Sequence, residues 1–419
     1  MHIVFGRGVM VKEKLIRRAV YENKVVPFIG NPNAKVFMGI RRCGKSTLLR
    51  LTSEEILSRN PDANVIYVDL ELWSNRHLLN ADSLYRHIKE NIILEKDNCL
   101  FVDEIQDVKD WESVIRSIIK EKCCDVYITG SNSSLLSSEY STHLGGRLNI
   151  VPVQPLSLRE CMDFRENATG IRPEASSALE EYLELGGFPG VWSRPIARDS
   201  AYSMLGDIYA HIVLKDVIQR YGVKNTEALG KIIAFLCDNI GNNTSPNNIF
   251  TKLKASGDSV DKGIVYEYIE HLEKAYFITK VKRFDVRGKK LLESDYKYYL
   301  TDIGLKHSLF GYRPSDISKH IENIIYSEMS ARGYKVHVGK IGNTEIDFVG
   351  MKMGKKIYIQ ATYLLSSEEA VEREFGNLKA VRDSFPKYVV GMDPKWKSGD
   401  HVDGIVYRSL AEFLTADDW

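Results

Sequence analysis

Between Gly39 and Ser46 the chain reads Gly-Ile-Arg-Arg-Cys-Gly-Lys-Ser, the spacing G-x-x-x-x-G-K-S. Each residue type suits the binding of a polyphosphate. Gly39 and Gly44 let the backbone turn without a Cβ in the way. The loop amides then cradle phosphate oxygens, helped by the start of the following helix. Lys45 brings a fixed positive charge to the β- and γ-phosphates, and the Ser46 hydroxyl suits Mg²⁺. Arg42, Cys43 and Thr47 complete the stretch that would line the nucleotide. A second set of groups is Asp103-Glu104. The Asp can hold Mg²⁺ together with Ser46, and the Glu can orient and polarise a water for in-line attack on a γ-phosphate. Asn132, with Ser131 as the second choice, can contact that phosphate or the water, or can cap a helix. Arg147 can stabilise developing charge, on its own chain's phosphate or a neighbour's.

These residues need a frame that brings them together. A short apolar strand, Val36 to Met38, leads into the loop. A helix from Ser46 to Leu57 leaves it and stops at Asn60-Pro61. Strands are expected at Asn64–Leu70, at Asn98–Ile105 and at Asp125–Gly130. Helices are expected over residues 11–22 and 82–95 and around Trp111, Val114, Ile115, Ile118 and Ile119. The run before Asp103 is apolar at consecutive positions, as in a parallel strand covered on both faces. The alternation predicts an α/β fold with an open parallel sheet and a ligand at the strands' carboxyl ends.

Composition sets looser bounds. The chain has 419 residues, 44% apolar and 27% charged, with a net charge of +1. That length suggests several domains, and that balance is ordinary for a water-soluble globular chain. The six cysteines show no zinc-ligand spacing, which points to a reducing cytoplasm. No signal peptide and no apolar run of membrane-spanning length is evident.

Gly-Ile-Arg-Arg-Cys-Gly-Lys-Ser-Thr, Phe-Val-Asp-Glu-Ile-Gln, Ile-Thr-Gly-Ser-Asn and Gly-Gly-Arg before Pro155-Leu-Ser157 together resemble a prokaryotic family of AAA-type ATPases. Leu185-Gly-Gly-Phe-Pro-Gly190 adds to the likeness. The resemblance implies ATP binding and hydrolysis with Mg²⁺. It also implies a C-terminal half containing a winged-helix-like module and a nuclease-like fold. The domains expected are 1–160 (P-loop AAA-type ATPase), 161–225 (helical connection or lid), 226–310 (winged helix) and 311–419 (a small α/β nuclease-like domain).

In the third of these, helices over 226–240, after Thr244-Ser-Pro and from Val260 to Lys274 precede two strands, Tyr276–Lys282 and Lys297–Thr301. The last helix carries Asp261, Glu267, Glu270 and Glu273 against Lys262 and Lys274, an unfavourable face for phosphates. The hairpin is basic, with Lys280, Lys282, Arg283, Arg287, Lys289 and Lys290. It can hold a nucleic-acid backbone or be a solvated wing of a protein-docking module. In the last domain, a helix His320–Arg332 and three strands resemble the PD-(D/E)XK nuclease core. Glu322 and Asp347 match its acids. Gln360 stands where a second acid belongs and Thr362 where a lysine belongs, so a degenerate site is expected. The alternatives are an active DNA-processing nuclease and a non-hydrolysing, nucleotide-gated scaffold. A small-molecule kinase is disfavoured because Glu104 fits hydrolysis.

Overall fold

In the computed structural model, residues 15–133, 146–257 and 260–419 are described. The chain divides into two compact units, Met1–Val153 and Gln154–Trp419. The first therefore ends a few residues before the expected boundary at 160.

The first unit opens with α1 (Ala19–Val25), then β1 (Ala34–Met38) and α2 (Lys45–Arg59) on either side of the glycine loop. It continues through β2 (Asn64–Asp69), α3 (Ala81–Asn91), β3 (Asn98–Asp103), α4 (Trp111–Glu121), β4 (Asp125–Gly130) and β5 (Leu148–Pro152). The sheet order is β2-β3-β4-β1-β5, and every neighbouring pair runs parallel. β1, the central part of β3 and β4 are buried, as expected of strands covered on both faces. The helix N-terminal to β1 is shorter than the sequence suggests, starting at Ala19. The first residues expected in it, 11–14, and the serine-rich helix start before Leu144 lie outside the described residues.

The second unit begins with α5 (Leu158–Thr169), α6 (Ala175–Leu185) and α7 (Arg198–His211), the last continued by a π-helical stretch, Ile212–Gln219. Three helices follow: α8 (Thr226–Asp238), α9 (Pro246–Ala255) and α10 (Lys262–Lys274). The basic hairpin is β6 (Ile278–Asp285) and β7 (Lys290–Leu300). Then come α11 (Ile303–Phe310), α12 (Ile317–Ala331), β8 (Lys335–Ile341), β9 (Thr344–Lys352) and β10 (Lys355–Ala361). α13 (Glu368–Lys379), β11 (Lys387–Gly391), β12 (His401–Val402), β13 (Ile405–Ser409) and α14 (Leu410–Thr415) close the chain.

The hairpin is not a free wing. β6 pairs in parallel with β8, so one eight-stranded sheet runs β12-β13-β11-β10-β9-β8-β6-β7, straight across the 310/311 boundary expected from sequence. Alternation in sequence marks a strand but carries no label for its partner.

Two sequence signatures meet in this unit. The Leu156 amide donates to the Gly187 carbonyl (2.7 Å), and the Tyr182 hydroxyl donates to the Leu156 carbonyl (3.1 Å). Ser157 caps α5 in a reciprocal arrangement with Glu160. Nearby, His307 on α11 and His320 on α12 are both buried, with Nε2 atoms 3.2 Å apart. His307 Nδ1 lies 2.6 Å from the Glu184 carbonyl, so it carries the proton there and its Nε2 accepts from His320.

Burial holds His307 down at about 4 and His320 at about 3. An unfolded histidine takes up its proton near 6.5. Their contribution to stability is therefore intact above about pH 6.5 and is lost as pH falls toward 4, by about 1.4 kcal/mol per pH unit for each ring. Urea midpoints measured between pH 7 and pH 5 should fall less steeply in His320→Gln than in the parent chain.

Candidate nucleotide-binding and hydrolysis site

The parallel register decides what can meet. Met38 of β1 lies beside Gly130 of β4, and Val102 of β3 beside Ile128. The glycine loop, Asp103-Glu104 and Ser131-Asn132 therefore emerge at one carboxyl edge, the usual ligand-binding edge of such a sheet. Lys45, Asp103, Glu104, Ser131 and Asn132 are all buried there.

The loop is tightly framed. A Cβ on Gly39 would stand 2.0 Å from the Val153 carbonyl oxygen, so no side chain fits. Arg42 and Gly44 both take positive φ, 67° and 102°. Such alternation of backbone sign makes an amide-lined concavity that suits anions. Arg18 Nη1 donates to the Cys43 carbonyl (3.0 Å) and the Cys43 thiol to the Val153 carbonyl (3.4 Å). Burial raises that thiol above the ordinary cysteine value, so Cys43 fills space rather than reacting. Arg42 is exposed, whereas Thr47 is half-buried in the first turn of α2.

Lys45 Nζ donates to the carbonyls of Gly39 and Ile40, both at 3.1 Å, and lies 3.7 Å from Glu104 Oε1. Phosphate oxygens reaching the loop would compete for that ammonium. Asp103 accepts from Thr129 Oγ1 at 2.5 Å, and Ser46 also bonds to its carboxyl. Burial, more than these bonds relieve, raises Asp103 above the usual carboxylate range. A hydroxyl and a carboxylate from two elements, both hard oxygen donors, fit Mg²⁺.

Glu104 sits in the left-handed region (φ 56°, ψ 49°), uncommon for a residue with a side chain and frequent at functional sites. Its amide donates to Thr129 Oγ1 (2.7 Å). Gln106 Nε2 bonds to its carboxylate and reaches Ser131 Oγ at 3.3 Å. Burial works against ionisation, but the charges of Lys45 and Arg41 and the bonds from Gln106 and Ser131 outweigh it. Glu104 is thus held below its ordinary value, as an ionised base. Arg41 also pairs with Glu71 (2.7 Å).

A family model described as an AAA domain matches residues 31–162, and one described as a domain of unknown function matches 176–316. An uncharacterized protein of Haemophilus influenzae is 30% identical over 408 residues, 96% of this chain and all of that protein. The chain belongs to this AAA-type family. An uncharacterized Methanocaldococcus jannaschii protein is 27% identical, over 89% of this chain and 83% of its own length. Among solved structures, the Aeropyrum pernix Orc1 protein in complex with DNA is 16% identical, with TM-score 0.34, over 70% of this chain and 92% of that one. A likeness that low carries no inference about function.

Not every expected residue of this AAA-type protein joins the site. Arg147 is exposed and precedes β5, whose first residue, Leu148, pairs with Ala34 at the start of β1. It therefore lies at the amino edge of the sheet. At about 3.3 Å per residue, its backbone, level with residue 33, is roughly 20 Å from the loop's start at Gly39. The motif places Arg147 after Gly-Gly but carries no strand direction, so a role on its own chain's phosphate is not supported by this placement. Two residues at the site were not singled out from sequence: Thr129 and Gln106. Thr129 was legible in principle, as the β4 residue one step past the Val102–Ile128 pair.

In the second unit, the sequence-matched acids also meet. Glu322 on α12 and Asp347 on β9 are joined by Glu345, two residues before Asp347. All three surround Lys297 of β7, whose Nζ is 2.8 Å from Glu322, 2.9 Å from Glu345 and 3.6 Å from Asp347. Burial works against the Lys297 charge, but the three carboxylates outweigh it and drive it well above the ordinary lysine value. Burial also pushes Asp347 up to about 7, with the Glu322 charge adding to it. Gln360 and Thr362, at the end of β10, are buried. Neither supplies an ammonium; Lys297, 65 positions before Thr362 in the chain, does.

Among the described residues, no helix is long and apolar enough to cross a membrane.

Proposed function

We propose that this chain is a cytoplasmic, Mg²⁺-dependent ATPase whose hydrolysis step changes how its C-terminal modules meet a nucleic-acid or protein partner. The meeting of Lys45, Ser46, Asp103 and Glu104 at one carboxyl edge of the parallel sheet carries this reading. The loop amides, with Arg42, Cys43 and Thr47 alongside, hold the triphosphate, and Lys45 leaves its two carbonyl partners to neutralise the β- and γ-oxygens. Ser46 and Asp103 hold Mg²⁺, which supplies charge neutralisation at the phosphates when bound. Glu104, kept ionised and oriented by Gln106 and Ser131, takes the proton of an attacking water. Asn132, buried at the same edge, reads the γ-phosphate, and Arg147 serves a neighbouring subunit's site.

The winged-helix reading of 226–310 and the degenerate nuclease-like reading of 311–419 belong to the same proposal. Lys282, Arg287, Lys289 and Lys290 on the hairpin are exposed and suit a phosphate backbone without sequence readout.

The test is phosphate release from ATP with Mg²⁺, with and without duplex DNA. Mg²⁺-dependent release that changes with DNA is expected. No release above buffer under either condition, with ATP still raising the melting temperature, would instead establish the nucleotide-gated scaffold.

A further inference from the structure

The acids of a nuclease-like strand pair ordinarily hold a divalent cation, and the donor set around Glu322, Glu345 and Asp347 can be tested against that. Four of their six acceptor oxygens already take hydrogen bonds. Glu322 Oε1 takes both Lys297 Nζ (2.8 Å) and the Tyr299 hydroxyl (2.6 Å). Glu345 Oε1 takes Lys297 (2.9 Å). Its Oε2 takes the Asn243 amide (2.7 Å) and faces Arg283 at 3.6 Å. Asp347 Oδ2 takes the Ala361 amide (2.9 Å), and its Oδ1 faces Lys297 at 3.6 Å.

The Lys297 side chain is 4% exposed. A hard divalent cation needs carboxylate oxygens at roughly 2.0–2.6 Å, so it would have to take the place of that ammonium. Gln360 and Thr362 bring no charge that would favour the exchange. Among the described residues, no group of three or more His, Cys, Asp or Glu is arranged to hold a metal.

We propose that Lys297 is the resident cation of this cluster. It closes the carboxylates against divalent metals and staples the basic hairpin to β9 and α12, so the second unit grips a partner without cutting it. Lys297 lies on β7, Glu345 and Asp347 on β9 and Glu322 on α12. The ammonium thus joins the far edge of the sheet to a strand, β9, and a helix, α12, that β7 does not pair with. Arg283 on β6 adds a second tie to Glu345. This rests on the nuclease-like reading of 311–419 and not on the ATPase reading.

The test uses the full chain without nucleotide, titrated with MnCl₂, with thermal unfolding and the Mn²⁺ paramagnetic signal as readouts. The parent chain and Asp347→Asn should respond identically, since any Mn²⁺ they take up lies elsewhere. Lys297→Met should melt at a lower temperature and gain a Mn²⁺-dependent rise of roughly 5 °C at a hundredfold excess over Kd. That rise should vanish in Lys297→Met/Asp347→Asn.

A Mn²⁺ response of the parent chain that Asp347→Asn abolishes would overturn the proposal. So would Mn²⁺-dependent plasmid cleavage with the same dependence. Should Lys297→Met not fold, the parent and Asp347→Asn comparison decides alone. Phosphate release, measured separately, reports on the other unit, so the two readings fail independently.

Discussion

Glu104→Gln should lower ATP turnover by about 10²–10⁴-fold while leaving nucleotide binding nearly unchanged, and Lys45→Ala should abolish both. The two substitutions remove different things. Gln keeps the size of Glu104 and can keep hydrogen bonds to Gln106 and Ser131, but it cannot accept a proton from water. The loss belongs in kcat, with KM little changed. The Lys45 side chain is 2% exposed and is the cation that reaches both the loop carbonyls and Glu104. Its removal leaves Glu104 buried without that charge, and the loop without its point charge for phosphate. Melting curves with and without ATP separate the outcomes. ATP should raise the melting temperature of the parent chain and of Glu104→Gln, and should leave Lys45→Ala unmoved. Unchanged turnover in both variants would remove hydrolysis at this site from consideration.

Asp302→Ala should destabilise the second unit strongly. The carboxylate is fully enclosed and accepts two backbone amides, Gly187 at 2.6 Å and Gly304 at 2.8 Å. Alanine leaves both donors buried and unpaired, at about 1–3 kcal/mol each. Little relaxation is available. A Cβ on Gly187 would fall 2.2 Å from the Leu156 carbonyl, and one on Gly304 would fall 2.3 Å from the Leu185 carbonyl. Gly186, at φ 69°, needs the left-handed region that glycine occupies freely. Hydrogen exchange at the Gly187 and Gly304 amides is the local readout, and protection there should collapse.

The pH dependence has a definite sign. Burial raises Asp302 to about 7, against an unfolded value near 3.9. The native chain therefore holds a proton that the unfolded chain releases, and this residue's contribution falls as pH rises from about 4 to 7. That slope opposes the histidine pair's, and Asp302→Asn should remove it. An unchanged pH profile in Asp302→Asn would refute the assignment.

The phosphate loop was legible because all its parts are local. Eight consecutive residues carry the glycines, the lysine and the serine, and strand and helix signals flank them. Asp103 and Glu104 were legible because a fully apolar strand ending in acids must end at the same edge as its parallel neighbours. Arg147 shows the limit of that reasoning. Its motif sits close to β5 in sequence, but the register pairs the start of β5 with the start of β1 and leaves the arginine at the opposite edge. In the second unit, Leu185-Gly-Gly-Phe-Pro-Gly190 and Asp302 are over a hundred residues apart, and nothing in their spacing announces that the Gly187 amide of the turn ends on that carboxylate.

By itself, then, the sequence determined the parallel α/β frame of the first unit, the chemistry of its loop and the two acids that face it, because short-range spacing and strand periodicity are enough for those. The tertiary structure decided which cation meets which carboxylate. Lys297 meets Glu322, Glu345 and Asp347, and it does so because strand pairing carries β7 to the edge of a sheet whose strands beyond β6 lie later in the chain. Strand order, direction and register arise from contacts between distant segments, and a linear pattern of side chains leaves those contacts open.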